Sequence, residues 1–322
     1  MHSLIGSNFE ARSARAKIGH DLGENCKMVK ILDGSALSKE IRGEVAEGVH
    51  YLKSSQKITP GLAAVLIGDD PASSIYVRNK GRACDEVGML NETFLLPADV
   101  TQEKVLSLVR SLNNDHRFHG ILIQLPLPDH LDEQTVIREV SPSKDVDGIH
   151  PFNLGELVQG MPSFIPCTPA GIQELLLRNG YDPAGQHMVI CGRSNIVGKP
   201  LASLMMQRAY GSNATVTVCH TGTKDLIDLT RQADILVAAV GRAGFITGDM
   251  LKKNVIAIDV GINRTDDPKS SRGYRLEGDC DFTSVSQKAE AITPVPGGVG
   301  PMTIAMLLTN TLKAANRMSG QD

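Results

Sequence analysis

From Lys30 onward, apolar residues recur at helical spacing and at strand spacing in alternation. Ile41, Val45, Val49 and Leu52 fall three or four apart and predict one face of an amphipathic helix, with Asp33 and Ser35 placed to cap its start. Gly61 to Gly68 (GLAAVLIG) is a continuous apolar run between glycines, the pattern of a strand buried on both faces. The segment containing Tyr76 and Lys80 reads as a second helix, which stops at Gly88 because glycine accepts positive φ. Asn91 to Leu96 is strand-like, Val105, Leu106, Val109 and Leu112 form a helical stripe, and Gly120 to Gln124 (GILIQ) is a third buried strand. Strands alternating with helices imply parallel pairing with helices on the faces.

Ser163 to Gly171 (SFIPCTPAG) marks a boundary, after which Thr168 is expected to cap a helix that Pro169 opens and Gly180 ends. The alternation resumes with a strand at His187 to Cys191, a turn at Gly192 to Pro200 (GRSNIVGKP) and a helix through Leu201, Leu204 and Met205. Further strands are predicted at Thr215 to Cys219, Ile235 to Ala239 and Val255 to Val260, a Rossmann-like series. Ile292 to Thr303 (ITPVPGGVGPMT) is a loop rich in glycine and proline. It leads into a helix with Ile304, Leu307, Leu308, Leu312 and Ala315 on one face. The fold class that follows is α/β: two α/β domains flanking a cleft, the second Rossmann-like and dinucleotide-binding, with the C-terminal helix returning to the first. The expected units are a disordered extension at 1–27, a catalytic domain at 28–165 plus 300–322, and a dinucleotide domain at 166–299.

At 322 residues the chain suffices for about two domains, and 41% hydrophobic with 21% charged residues is a globular profile. A net charge of −3 provides no basic field for nucleic acid or an anionic membrane, and no apolar run is long enough for a membrane span. The six cysteines, Cys26, Cys84, Cys167, Cys191, Cys219 and Cys280, lie far apart without a C-x-x-C. They are expected to be reduced, buried thiols and not a disulfide frame or zinc site. No His/Cys/Asp cluster offers a metal site. Residues 1–27 lack a secretory apolar core, and Glu10, Asp21 and Glu24 oppose an organellar transit peptide, so a cytoplasmic location is expected.

Candidate chemistry begins at Pro71 to Lys80 (PASSIYVRNK), where Tyr76 and Lys80 stand at i and i+4 and would share a helix face. A phenol and an amine so placed can stack on a flat substrate and move a proton. A packed tyrosine beside a solvated lysine fits the same spacing. Gln124 sits at the carboxyl end of a strand, where open α/β sheets place ligands, immediately before Leu125 to Pro128 (LPLP). Lys144 to Gly148 (KDVDG) carries Asp145 and Asp147, which face the same way if the loop is extended; a solvated turn is the other reading.

Gly192 and Gly198 flank a strand-to-helix turn where backbone amides can hold a pyrophosphate, although Ser194 stands where G-x-G-x-x-G would have its middle glycine. A site selecting NAD usually places Asp or Glu at the end of the next strand. Here that strand ends Cys219, His220, Thr221, Gly222, Thr223. Arg193 with a threonine hydroxyl suits a 2'-phosphate, so NADP is preferred to NAD.

Five stretches in order carry a family resemblance: Ser73-x-x-Tyr76-x-x-x-Lys80, Gln124 to Pro128, Lys144 to Gly148, Gly192 to Pro200 and Pro294 to Thr303. Together they resemble the bifunctional methylenetetrahydrofolate dehydrogenase/methenyltetrahydrofolate cyclohydrolase family over about residues 29–316. The resemblance implies an NADP-dependent enzyme of one-carbon metabolism that oxidises 5,10-methylenetetrahydrofolate and hydrolyses the methenyl product to 10-formyltetrahydrofolate, as a cytoplasmic homodimer without a metal. It further implies that Tyr76 stacks on the folate, Lys80 is the acid/base, Gln124 orients it, Asp147 binds the pterin and Ser73 lines the pocket. Pro296, Gly297, Gly298, Val299 and Gly300 would wall folate from cofactor. Gly192, Arg193, Ser194, Ile196, Thr221 and Ile262 would hold NADP. A catalytically silent NADP-binding regulatory protein would keep the Gly192 turn without needing Tyr76, Lys80, Gln124 and Asp147 together. A hydroxy-acid dehydrogenase would want a cationic carboxylate clamp near the nicotinamide, and none is identified.

Overall fold

In the computed structural model, which describes residues 29–270 and 273–320, the buried apolar runs become parallel strands and the amphipathic stretches the helices that cover them. The extension expected at 1–27, with Cys26, lies outside the described residues. The described residues open with β1 (Lys30–Ile31) and α1 (Gly34–Gln56). α1 buries Leu37, Ile41, Val45, Val49 and Leu52, and the Asp33 carboxylate caps it by accepting from the Ala36 amide at 3.0 Å.

Next come β2 (Gly61–Ile67), α2 (Pro71–Val87), β3 (Leu90–Leu96), α3 (Gln102–Asn114) and β4 (Gly120–Ile123). The three strands form a parallel sheet in the order β3-β2-β4, with β2 buried throughout between its neighbours. α2 starts as its sequence requires: Asp70 accepts from the Ser73 amide at 2.7 Å, Pro71 occupies the first turn, and Gly88 stops the helix at φ 78°. α4 (Glu133–Glu139) and α5 (Pro151–Gln159) complete the first domain. Only Asn153 and Leu157 of α5 are buried, so it has no apolar stripe for sequence reading to detect.

The second domain opens with α6 (Cys167–Arg178), β5 (His187–Cys191), α7 (Gly198–Met205), β6 (Thr215–Cys219), α8 (Leu226–Thr230), β7 (Ile235–Ala238) and β8 (Val255–Asp259). An antiparallel pair, β9 (Asn263–Asp266) and β10 (Tyr274–Glu277), precedes α9 (Phe282–Ser286), β11 (Ala289–Ile292) and α10 (Val299–Met318). The main sheet is parallel, in the order β1-β11-β8-β7-β5-β6. Chain order therefore reverses at β5, which lies between β6 and β7, and the carboxyl ends there form the crevice where such sheets take ligands.

Two segments tie the domains together. β1, at the head of the chain, is the edge strand of the second sheet, and α10 packs on both α1 and α6. The Asn310 amide of α10 donates to the carbonyls of Val146 (2.9 Å) and Ile165 (3.0 Å). The helix-capping role expected of Thr168 is not observed: α6 starts at Cys167, two residues before Pro169, and the Thr168 hydroxyl lies 3.0 Å from that of Thr303 on α10. Among the described residues no helix is long and apolar enough to cross a membrane, and all five described cysteines are free and buried.

Candidate active site

The helical spacing of Ser73, Tyr76 and Lys80 puts them along one side of α2, and the packing differentiates them. Ser73 is buried in the first turn, Tyr76 is half-buried, and Lys80 is only 9% exposed. The Lys80 ammonium donates to Gln124 Oε1 at 3.0 Å. Gln124 follows β4, its backbone amide still bonded to the Val65 carbonyl, and its side-chain NH2 donates to Leu125 O at 2.7 Å. That second bond fixes the amide so that its oxygen faces the lysine. Burial lowers the Lys80 pKa from the ordinary lysine range, while Asp147 and Cys167 oppose the shift. Burial raises the pKa of Tyr76, which keeps its phenol neutral.

The KDVDG loop is turned, not extended, with Gly148 N–H bonded to Asp145 O at 3.1 Å. The two carboxylates consequently have different surroundings. Asp145 is buried and accepts from His150 N (2.8 Å), Ile149 N (3.4 Å) and the Asn153 amide (2.7 Å), which commits it to holding the loop. Asp147 is half-buried beside Lys80 and Cys167. Lys144 is buried as well, donating to the carbonyls of Leu112 (3.0 Å) and Asp115 (2.8 Å) at the end of α3.

Tyr76 also lines a cleft of about 870 Å³ between the domains. Its far wall is the Pro294–Pro301 loop with Ile262, so Pro296, Gly297, Gly298, Val299 and Gly300 all face the cleft that the tyrosine faces. The loop is clamped to the head of α1: Ser35 N–H donates to Gly297 O at 2.9 Å and the Ser38 hydroxyl to Pro301 O at 2.9 Å. Lys80, Gln124 and Asp147 are not part of this lining and form a separate cluster on the buried side of α2.

At the sheet crevice, Gly192 has φ 138°, and an added β-carbon would strike the Ala239 carbonyl, 2.9 Å from its carbon. A β-carbon on Gly198 would lie 2.6 Å from the Gly192 carbonyl carbon. Both glycines are thus required for β5, the turn and α7 to approach so closely. Ser194 Oγ accepts from Val197 N at 3.1 Å and Gly198 N at 3.5 Å, leaving its own proton to donate. Arg193, Ile196 and Thr221 are exposed around this turn, whereas Thr223 Oγ1 is engaged by the His220 amide at 2.8 Å. A cradle without β-carbons, an exposed guanidinium and no carboxylate at the end of β6 fit a phosphorylated dinucleotide.

The tetrahydrofolate dehydrogenase/cyclohydrolase family model for the catalytic domain matches residues 32–147, and that for the NAD(P)-binding domain matches 166–319. The chain belongs to this family. Among similar proteins of the tetrahydrofolate dehydrogenase/cyclohydrolase family, one named bifunctional protein FolD from Salinibacter ruber is 58% identical over 285 residues, covering 88% of this chain and 95% of that protein. Another, from Chlorobium chlorochromatii, is 52% identical over 292 residues, 90% of this chain and 99% of the relative. The crystal structure of the bifunctional FolD enzyme from Campylobacter jejuni superposes with a TM-score of 0.85 at 47% identity, covering 90% and 99% of the two chains. That of the Trypanosoma brucei enzyme, complexed with NADP and an inhibitor, does so with a TM-score of 0.86 at 39% identity, covering 90% and 98%.

Three residues of this family member escaped the sequence reading. Cys167, one buried cysteine among several, is fully enclosed next to Asp147 and Lys80, and burial pushes its thiol well above the usual range. Asp259 ends β8 and accepts from the amides of Gly261 (2.9 Å), Asp279 (2.8 Å) and Cys280 (2.9 Å); burial pushes its carboxyl up to about 6. Asp279 accepts from Val240 N (2.6 Å), Gly241 N (2.9 Å) and Arg242 N (2.9 Å), holding the loop after β7 at the sheet's carboxyl edge. The local signal was the glycine beside each aspartate, Gly261 and Gly278, where a β-carbon would run into the partner's carboxylate.

Proposed function

We propose that the protein oxidises 5,10-methylenetetrahydrofolate to the methenyl form with NADP and then hydrolyses it to 10-formyltetrahydrofolate. The observation that carries this reading is a buried lysine, hydrogen-bonded to an oriented glutamine, on the helix whose Tyr76 faces the interdomain cleft. When bound, NADP supplies the hydride acceptor for the first reaction. Gly192, Gly198, Arg193 and Ser194 would hold its phosphates, with Ile196, Thr221 and Ile262 at its flanks. Tyr76 provides a neutral ring face against which the folate lies, buried Ser73 stands one turn before it on the same helix, and the Pro296–Gly300 loop excludes water from the other side.

In the hydrolytic step water adds to the methenyl carbon, and its proton must go to a base. Burial lowers the pKa of the Lys80 amine, which makes its neutral form more accessible than that of an exposed lysine, and the Gln124 oxygen accepts one of its N–H bonds, leaving the lone pair to take the proton. Lys80 then returns it to the ring nitrogen as the carbon–nitrogen bond opens, and the proton left on the hydroxyl departs to solvent as the formyl C=O forms. Asp147 binds the amino face of the pterin and sets how far the amine's pKa can fall. Residues 28–165 plus 300–322 act as the folate-binding catalytic unit and 166–299 as the NADP-binding unit. The sheet edge at β6, with Met206 and Tyr210 exposed nearby, supports pairing of two copies as a cytoplasmic homodimer. Following absorbance as methylenetetrahydrofolate is mixed with NADP, and separately with NAD, tests the reading: faster turnover with NADP is expected, and no turnover with either ends it.

A further inference from the structure

The loop after β7 is built around a residue from another part of the chain. Val240, Gly241 and Arg242 are exposed, yet their successive N–H groups all turn inward, to the carboxylate of the fully buried Asp279. Oδ2 accepts from Val240 N (2.6 Å) and Gly241 N (2.9 Å), and Oδ1 accepts from Arg242 N (2.9 Å). Consecutive amides so arranged form an anion-binding concavity, and here the protein's own carboxylate fills it. Oδ1 also accepts from the Asn263 side-chain amide at 2.8 Å, on the segment that follows Ile262. The backbone of Asp279 is held on both sides: its N–H donates to Asp259 Oδ1 at 2.8 Å and its carbonyl accepts from Ile246 N at 2.9 Å. Gly261 lacks the β-carbon that would strike this carboxylate.

We propose that Asp279 is a positioning residue for the oxidation step: it locks the loop after β7 and the Gly261–Asn263 segment to one another, and so fixes the seat of the cofactor's nicotinamide end. The proposal rests on the reading above of an NADP-dependent dehydrogenase. With the phosphorylated adenosine end at β6, a dinucleotide that crosses the crevice at β5 brings its other end over β7 and β8. There Gly261 and Ile262 line the cleft that Tyr76 faces, so the locked segment borders both reactants. Asp279 is enclosed behind the loop and acts through it. Every group that reaches its oxygens among the described residues is a donor. An asparagine there must therefore turn its NH2 toward N–H groups whichever way it is placed, and the loop has to move.

The test compares Asp279→Asn with the wild type and with Asp281→Asn, which removes the charge of a nearby carboxylate that caps α9. For Asp279→Asn, kcat for methylenetetrahydrofolate oxidation at saturating NADP is expected to fall about ten- to a hundredfold, the cost of a displacement approaching 1 Å. Hydrolysis of methenyltetrahydrofolate, which consumes no cofactor, is expected to keep the wild-type rate. Amide hydrogen exchange across residues 240–242, measured without NADP, should quicken in this variant and not in Asp281→Asn. If Asp279→Asn does not fold, Asn263→Ala removes one of the donors and is expected to lower oxidation by about two- to tenfold with hydrolysis retained. Wild-type oxidation in the folded variant tested overturns the proposal and leaves the dehydrogenase standing. Equal loss of both activities also overturns it, by making Asp279 part of the general frame, as does a raised dissociation constant for NADP with kcat unchanged. Wild-type protein that does not oxidise methylenetetrahydrofolate would remove the reading beneath it.

Discussion

Gly192→Ala is the sharpest test of the dinucleotide crevice. The new β-carbon would sit 2.9 Å from the Ala239 carbonyl carbon and nearer still to its oxygen, at a backbone φ of 138° that alanine adopts only under strain. Carbon atoms pack favourably at roughly 3.5–4.0 Å, so the turn or the end of β7 must retreat by about 0.6–1.1 Å. The atoms concerned are backbone, with no flexible side chain to absorb the move. A displacement near 1 Å in a positioning element costs roughly a hundredfold in function, and the φ strain removes a further ~1–2 kcal/mol of stability. The dissociation constant for NADP, measured by fluorescence titration, is therefore expected to rise roughly a hundredfold. Thermal unfolding should fall by several degrees, at about 2–4 °C per kcal/mol. Far-UV circular dichroism separates a shifted turn from an unfolded domain. A folded Gly192→Ala protein that binds NADP as tightly as the wild type would refute the claim that the bare cradle exists for a phosphate group.

Lys80→Met, which keeps the length and removes the amine, is expected to lower hydrolysis of methenyltetrahydrofolate by about 10²–10⁴-fold with NADP affinity retained; a wild-type hydrolysis rate would strip Lys80 of its role. The same rate should fall toward acid pH, because the base must be neutral and protonation removes it as pH drops through its lowered pKa. Asp147→Asn deletes a charge that holds that pKa up, so the acid limb of kcat should move to lower pH; movement to higher pH would contradict the electrostatic account. Arg193→Ala is expected to weaken NADP roughly tenfold more than NAD, and equal losses would deny it the 2'-phosphate. Gly43→Ala, in the middle of α1 with nothing within 4 Å of the new carbon, should raise stability by ~1 kcal/mol in a denaturant titration, and a loss would mean α1 is strained there.

Local periodicity carried the reading of α1, α2 and the strands β2, β4 and β5, because a buried face or a buried run imprints itself on neighbouring residues. It failed where pairing partners are remote or the surface is polar. β1 is two residues long and is a strand only because β11, at the far end of the chain, lies beside it. β9 and β10 (NRTD and YRLE) are short and charged, with no apolar alternation to reveal them. Thr168 resembled a cap in sequence, yet α6 began two residues before the expected Pro169 and the Thr168 hydroxyl turned to Thr303.

For the site, the residue types and their order were enough to indicate which chemistry to look for: an amine and a phenol one turn apart, an amide at a strand end, and a glycine turn before a helix. Their protonation and their division of labour were not written there. Lys80 could as well have been solvated; burial beside Gln124 is what lowers its pKa, against the opposing charge of Asp147. Asp145 and Asp147 are equivalent in sequence, and a turn in the loop sent one to backbone amides and the other to the lysine. Helix and strand patterns arise from neighbours along the chain, whereas desolvation and charge pairing depend on groups that only folding brings together.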